Sequence, residues 1–469
     1  MKMHIGGQWI DKDDKLEVRN PFDDQIIDTV PKSTPQDVSD AIATAVKGAQ
    51  VMRRMPAFER YQLLDKAARL MYERQEELGQ TITQEEGKVI AEGRGEASRS
   101  AETITLSAEE AKRLTGETLD LTAASNGAGK FGFTLRVPCG VVAAITPFNF
   151  PLNLVCHKVG PALAAGNAVI VKPASDTPLS AIKLVEILLE AGFPAEAVSV
   201  MTGAGASIGD AIASDPRIRK ISFTGSRDVG EHICRTAGLK RVTMELGSNS
   251  PVVVMDDADL DKVADGVAVA GFANAGQVCI SAQRILVEDK VYGDFTEALK
   301  TRVEAIATGN PLEEGTAMGP MIRESDAERV ESWVQDAVAG GARLVTGGSR
   351  SGTMHQPTIL ADVDPGMRVS CDEIFGPAVA LTRVDDIDEA IAIANDTNYG
   401  LSASIFTQDI DRAIKYAQEV ESGNIHINWG TMWRADMMPY GGVKDSGMGK
   451  EGPKYTIQEM TETKMVVIH

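Results

Sequence analysis

The stretch VVAAITPFNFPLNLVCHKVGPALAAGNAVIVKPAS, residues 141–175, decides the fold. VVAAI (141–145) is a short apolar run that reads as a buried strand. Pro151 suits the first turn of a helix, which the apolar spacing carries to about Ala165. AVIVK (168–172) is a second strand. Strand, helix, strand in immediate succession predicts a parallel pair joined by a crossover helix.

Working outward, the rhythm repeats. A helix spans Pro178–Ala191, AVSVM (197–201) is a strand, and a helix lies near Ala206–Ala213. KISF (220–223) is the next strand, with a helix from Asp228. A second alternating series starts at PVVVM (251–255) and runs to about residue 430. It holds a helix around 260–274, the strand RILVE (284–288) and a helix from about Val291 to Ala307. The expected fold class is α/β, with parallel sheets covered by helices on both faces. Dinucleotide phosphates sit at strand C-termini or helix N-termini of such sheets. Upstream, the first 115 residues read as mostly helical, with the longest run from Pro56 to about Leu114. The alternating charges there read as a solvated helix face. Residues 116–137 read as a β-hairpin arm turning at Ser-Asn-Gly-Ala-Gly, and the tail TIQEMTETKMVVIH ends in a strand-like segment.

A chain of 469 residues exceeds one core and fits two or three domains. With 47 basic and 67 acidic side chains, the net charge of −20 argues against nucleic acid or an anionic membrane as partner. No run is long and apolar enough to span a bilayer, and MKMHIGGQWIDKDD does not read as a signal peptide. The five cysteines (139, 156, 234, 279 and 371) are odd in number, scattered and without C-x-x-C or histidine spacing. Neither a disulfide frame nor a metal site is expected, and a reducing cytoplasm is the simplest location.

Three segments carry candidate chemistry. Cys279, in FANAGQVCIS, follows a turn that presents its sulfur at an element boundary. A thiolate there attacks carbonyl carbon once something takes its proton; the other four cysteines fit the ordinary role of small buried residues. Glu245, in VTMELGSNSP, ends an apolar strand, where desolvation raises a carboxyl toward a useful base; the alternative is a surface glutamate. Asn149, in ITPFNFPLN, stands just ahead of a helix, either capping it or donating to a developing oxyanion. Two further segments suit a dinucleotide. VKPAS (171–175) ends a strand with Lys172 in reach of ribose hydroxyls, and FTGSRDVG (223–230) sets Gly225 and Ser226 ahead of a helix. The G-x-G-x-x-G fingerprint is absent, since TGAGASIG (202–209) spaces its glycines differently.

Together, TPFNFP, VKPAS, FTGS, MELGS, GQVC, DEIFGP and MPYGGVKDSG occur in the order of the aldehyde dehydrogenase superfamily, which the chain resembles over essentially its whole length. The 34 positions between Glu245 and Cys279 (279 − 245) also match the family. The resemblance implies a Rossmann-like NAD(P)-binding domain over 1–115 and 138–245 and a catalytic domain over 246–435. A small β oligomerisation arm from 116–137 and 453–469 would give homodimers or homotetramers. It implies Cys279 as nucleophile, Asn149 and the Cys279 N–H as oxyanion donors, and Glu245 as the base that activates hydrolytic water. Lys172 and Glu373 would hold the cofactor riboses, Phe375 would stand beside the nicotinamide, and Gly225 and Ser226 near the pyrophosphate. The implied cofactor is NAD or NADP, and the substrate a small aldehyde.

Two departures bear on this. Ser248 replaces a glycine common in the family, which reads as a subfamily mark. Ser175 stands where NAD-preferring members often carry a glutamate, so a charge that would repel a 2′-phosphate is gone and NADP becomes permissible. His157 and Arg434 (in WGTMWRADMMPYGG) occupy segments resembling substrate-pocket walls. Both read either as holders of an anionic tail or as packing and surface residues. The tail would belong to a semialdehyde or a phospho-, phosphono- or sulfo-aldehyde, with lactaldehyde-like neutral substrates as the alternative. A CoA-acylating relative is disfavoured by Glu245, and a catalytically retired one by the presence of both Cys279 and Asn149.

Overall fold

A computed structural model describes residues 1–469. Its first sheet has eight strands in the order Gln8–Ile10, Met3–Ile5, Val198–Val200, Ala168–Lys172, Val141–Ile145, Ile218–Thr224, Arg241–Glu245 and Gly447–Met448. The five central strands run parallel, and the strands at both edges are antiparallel. Val141–Ile145 and Ala168–Lys172 are apolar along nearly their whole length because helices cover both faces. Chain order reverses between Val141–Ile145 and Ile218–Thr224, which opens a crevice at their C-terminal ends.

The second sheet has seven strands, in the order Arg343–Thr346, Thr358–Ala361, Ala378–Val384, Arg284–Glu288, Pro251–Val254, Ser402–Phe406 and Asn424–Ile427. All pairs are parallel except the first. The expected α/β class with two doubly wound sheets therefore holds. Residues 118–119 pair with 132–133 as a short hairpin, and Phe131–Pro138 pairs along its whole length with the final strand, Thr461–Ile468.

The mostly helical N-terminal reading holds from Pro35 to Ala111, and the residues before Pro35 need correction. Residues 3–31 form four short strands, and helices begin only at Pro35. Gly6 and Gly7, both at positive φ (65° and 80°), turn Met3–Ile5 back onto Gln8–Ile10, and His4 pairs on its other side with Val200, nearly two hundred residues away. Three-residue strands paired at such distance carry no periodicity to read. The solvated-face reading also fails around residue 90. Glu85, Glu86, Lys88 and Glu96 are buried, because Ile90–Ala111 packs between other helices.

Candidate active site

The crevice at the switch point continues into a cleft of about 510 Å³. Pro147 and Phe148 line it from one strand end, and Gly225 and Ser226 from the other. Ser226 precedes the Arg227–Ala237 helix and no side chain caps that helix, so its first N–H groups are open to an anion. A Cβ on Gly225 would come within 2.4 Å of the Phe223 ring. Glu373 and Phe375 form another wall. The Glu373 carboxylate accepts the Ser248 N–H at 2.9 Å, and burial pushes its pKa up to about 7. A Cβ on Gly247 would fall 2.3 Å from that carboxylate, whereas Ser248 has room for its hydroxyl beside Ser250. Glycine is thus demanded at 247 and not at 248, which explains the Gly-Ser pair. Phe375 sits at φ 45° with its ring edge-on to Phe148 at 5.9 Å. A non-glycine residue there is strained, and strain of this kind collects at ligand sites. Open N–H groups, close-approach glycines and a buried carboxylate fit a dinucleotide.

Lys172 and Ser175 stand outside this cleft. Lys172 is buried, donates to the Pro173 carbonyl at 2.9 Å, and is pulled down to about 8 by burial. Ser175 donates to the Gly203 carbonyl at 3.1 Å and lines a neighbouring recess with Asp176 and Arg323, which pair with each other.

Leu154, Thr224, Glu245 and Cys279 line the cleft and also a second chamber of about 220 Å³. Cys279 and Glu245 therefore stand in the wall between two cavities. The turn before Cys279 is unusual: Asn274, Ala275 and Gly276 all have positive φ, at 49°, 52° and 70°. A Cβ on Gly276 would lie 2.1 Å from the Gly376 carbonyl. The strained turn is held by two carboxylates, of which Glu86 is buried. Asn274 donates its side chain to Glu86 at 2.8 Å and its backbone N–H to Glu92 at 3.2 Å.

Asn149 belongs to the same knot. Its Nδ2 donates to the Gln277 carbonyl at 2.8 Å, and its Oδ1 has no partner. Lys88 Nζ donates at 2.7 Å to both the Asn149 carbonyl and Glu96. Glu96 in turn accepts the N–H groups of Leu152 and Asn153, capping the helix that follows. The capping alternative for Asn149 is therefore excluded, since Glu96 does that work from another helix.

Cys279 Sγ lies 3.1 Å from the Tyr440 hydroxyl. Burial pushes the thiol up to about 12, so at neutral pH it is protonated. Both oxygens of Glu245 are buried without partners, and burial, reinforced by the charge of Glu451, raises its carboxyl well above the ordinary range. This is a buried acid and not a surface glutamate.

Arg434 lines the second chamber. Its guanidinium lies 3.8 Å over the Tyr440 ring and donates to Glu451 at 3.3 Å. His157 requires a correction. It is fully buried, does not line the chamber, and hydrogen-bonds Asp436 at 2.9 Å through Nε2. Its Nδ1 faces Arg434 Nη2 at 3.4 Å. Burial and the Arg434 charge lower its pKa, so it packs behind Arg434 as a neutral ring. Sequence reasoning passed over Arg99, Asp436, Tyr440 and Glu451. Arg99 was hidden in the charged face assigned to solvent, while Tyr440 and Asp436 lay inside motifs already quoted.

The sequence model described as the aldehyde dehydrogenase family matches residues 9–466. The chain belongs to the aldehyde dehydrogenase family. A 3-sulfolactaldehyde dehydrogenase of Priestia megaterium is 48% identical, covering 100% of this chain and 98% of the relative. The NADP-dependent succinate-semialdehyde dehydrogenase of Escherichia coli is 40% identical over 99% of this chain and 97% of its own. Among solved structures, aldehyde dehydrogenase 21 from Physcomitrella patens, in complex with the reaction product succinate, has a TM-score of 0.97 at 40% identity, covering 100% and 98%. The NADP-dependent glyceraldehyde-3-phosphate dehydrogenase from Bacillus halodurans, complexed with NADP, has a TM-score of 0.98 at 38% identity, covering 100% and 99%. The chain is an NAD(P)-dependent dehydrogenase that oxidises small aldehydes. No helix is long and apolar enough to cross a membrane.

Proposed function

We propose that the enzyme oxidises a short aldehyde bearing a terminal anion to the carboxylate, through a thiohemiacetal and then a thioester on Cys279. The observation that carries this reading is the shared wall: Cys279 and Glu245 face both the cleft suited to a dinucleotide and the chamber lined by Arg434. Gly225, Ser226, Glu373 and Phe375 would hold the cofactor in the cleft, with Lys172 and Ser175 toward the adenosine ribose. When bound there, NAD(P) supplies the hydride acceptor. Cys279 loses its proton to solvent water as its sulfur attacks the carbonyl carbon. The Asn149 amide and the Cys279 N–H donate to the oxygen that becomes negative. Glu245 then takes a proton from the water that cleaves the thioester, a task its raised pKa suits.

Arg434 would hold the tail, with His157 fixing the guanidinium from behind. One tyrosine side chain separates that guanidinium from Cys279 Sγ, a span that a short carbon chain bridges. Relatives named for 3-sulfolactaldehyde and succinate semialdehyde favour the same class. The arm of residues 116–137 and 453–469 is proposed to join copies into dimers or tetramers. The exposed apolar side chains of Phe131, Leu135, Met465 and Ile468 support that reading. Five free cysteines suit a cytoplasmic setting. The domain limits, 1–115 with 138–245 and then 246–435, are proposed alongside, with Gly447–Met448 added to the first sheet. The deciding experiment follows reduced cofactor with a panel of short aldehydes, with and without CoA. Turnover that needs CoA would replace hydrolysis by acyl transfer, and a preference for neutral aldehydes would remove the anionic tail.

A further inference from the structure

Resting on the reading of the larger cleft as the dinucleotide site, we infer that Arg227 supplies the guanidinium that meets the cofactor's pyrophosphate, and that Asp445 competes with the pyrophosphate for it. Gly225 and Ser226 bring backbone N–H groups to this wall, but those groups carry no net charge. Arg227 is the first residue of the Arg227–Ala237 helix, and its side chain lines the cleft beside them. A cation is misplaced at the positive end of a helix unless an anion comes to meet it. The protein's own anions hold it loosely. Arg227 Nε reaches Asp228 at 3.4 Å and Nη1 lies 3.5 Å from Asp445, and both carboxylates are exposed to water. Its one hydrogen bond is the long one from Nε, so both Nη nitrogens remain open. Arg241, as exposed as Arg227, shows what an engaged pair looks like: it grips Glu462 through two bonds at 2.8 and 2.7 Å.

The cleft needs that charge. Its lining sets Arg227 and Arg329 against Asp228, Asp372 and Glu373, on a chain of net charge −20. Glu245 stands in the same lining but is kept protonated by burial and by Glu451. A pyrophosphate, doubly negative at neutral pH, thus meets a wall with no positive excess, and the placing of the two cations decides whether it is held. Arg329 is already engaged: its Nη1 donates to the Ile374 carbonyl at 2.7 Å, and its guanidinium lies 5.1 Å over the Trp333 ring. Arg227 can turn, and Tyr399, Asp228 and Asp445 keep it firmly charged. Asp445 both neutralises that charge and repels a phosphate placed beside it. In the free enzyme it is the stand-in anion, and it draws the guanidinium back as the cofactor leaves.

The test is equilibrium binding without turnover. Dissociation constants are measured for NADH, for ADP-ribose, which carries the pyrophosphate, and for adenosine, which lacks it. Arg227→Gln should weaken ADP-ribose and NADH by about tenfold or more and leave adenosine nearly unchanged. Arg227→Lys should recover part of the loss, since it keeps the charge without the planar fork. Asp445→Asn should tighten ADP-ribose by about threefold, the worth of one exposed ion pair. The fall of ADP-ribose affinity with added salt should be shallower in Arg227→Gln than in wild type. Unchanged ADP-ribose binding in Arg227→Gln would overturn the proposal, and so would an equal loss for adenosine, which marks a structural residue. Weaker ADP-ribose binding in Asp445→Asn would overturn the competition and make the pair a strut between helix and loop. If Arg227→Gln does not fold, Arg227→Lys and Asp445→Asn carry the same test. ADP-ribose that failed to displace NADH from the wild-type enzyme would remove the dinucleotide from this cleft, and the reading beneath the proposal with it.

Discussion

The Tyr440 hydroxyl lies 3.1 Å from Cys279 Sγ, and its ring carries the Arg434 guanidinium on one face. A single side chain thus touches the proposed nucleophile with its polar end and the proposed tail-binding group with its aromatic body. The hydrogen bond favours the thiolate, while burial opposes it. Because burial prevails and the thiol stands near 12, the thiolate fraction should rise about tenfold per pH unit across the neutral range. Alkylation of Cys279 by iodoacetamide in the cofactor-free enzyme should therefore accelerate steadily from pH 7 to pH 10. Tyr440→Phe should slow it at every pH. A plateau below pH 8 would show a thiolate already formed at rest.

Lys88 holds the backbone of Asn149 and is balanced by Glu96. Lys88→Met leaves Glu96 buried and unpaired, which costs about 3–5 kcal/mol and should lower Tm. It should also reduce kcat by loosening Asn149, with cofactor affinity retained. Direct removal in Asn149→Ala should cost about 10²–10³ in kcat, the usual loss for one oxyanion donor. If kcat in Lys88→Met matches wild type, Asn149 is positioned by Gln277 alone.

Arg434→Ala should raise KM sharply for an anionic aldehyde and little for a neutral one. Arg434→Lys should recover only part of the loss, since it keeps the charge without the planar fork. Equal effects on both aldehydes would mean that Arg434 shapes the loop through Tyr440 and Glu451 and does not read the substrate.

With no carboxylate at 175, both NAD and NADP should support turnover. Ser175→Glu should shift the ratio toward NAD; one like charge at contact is worth a few kcal/mol at most, and a tenfold change needs only about 1.4 kcal/mol. Unchanged NADP use in Ser175→Glu would place the side chain away from the ribose, where its bond to Gly203 already turns it in the free enzyme.

How much was legible from sequence follows from the range of each interaction. VVAAI and AVIVK, apolar but for the terminal Lys172, are covered on both faces, so composition alone marks them as central strands. Cys279, Glu245 and Asn149 sit in short motifs whose order names the family. Residues 3–31 form strands of only three to six residues, and His4 pairs with Val200, so the pieces are too short and one partner too distant to leave a pattern. The burial of Lys88, Glu96 and Arg99 depends on which helices enclose Ile90–Ala111, and a charged helix face looks the same from sequence whether it meets water or a buried partner. His157 was read as a tail donor for a related reason: its position on the helix was evident, but not the Asp436 that claims its Nε2.

The central claim is that the aldehyde carbon becomes bonded to Cys279 and is released by water that Glu245 activates. Glu245→Gln mixed with NAD(P) and substrate tests it most directly. Reduced cofactor should appear in one burst equal to the enzyme present, followed by almost no turnover. Mass spectrometry of the quenched protein should find the acyl group on the Cys279 peptide, and none in Cys279→Ala. Undiminished steady turnover in Glu245→Gln, or an acyl group on any other residue, would contradict the account.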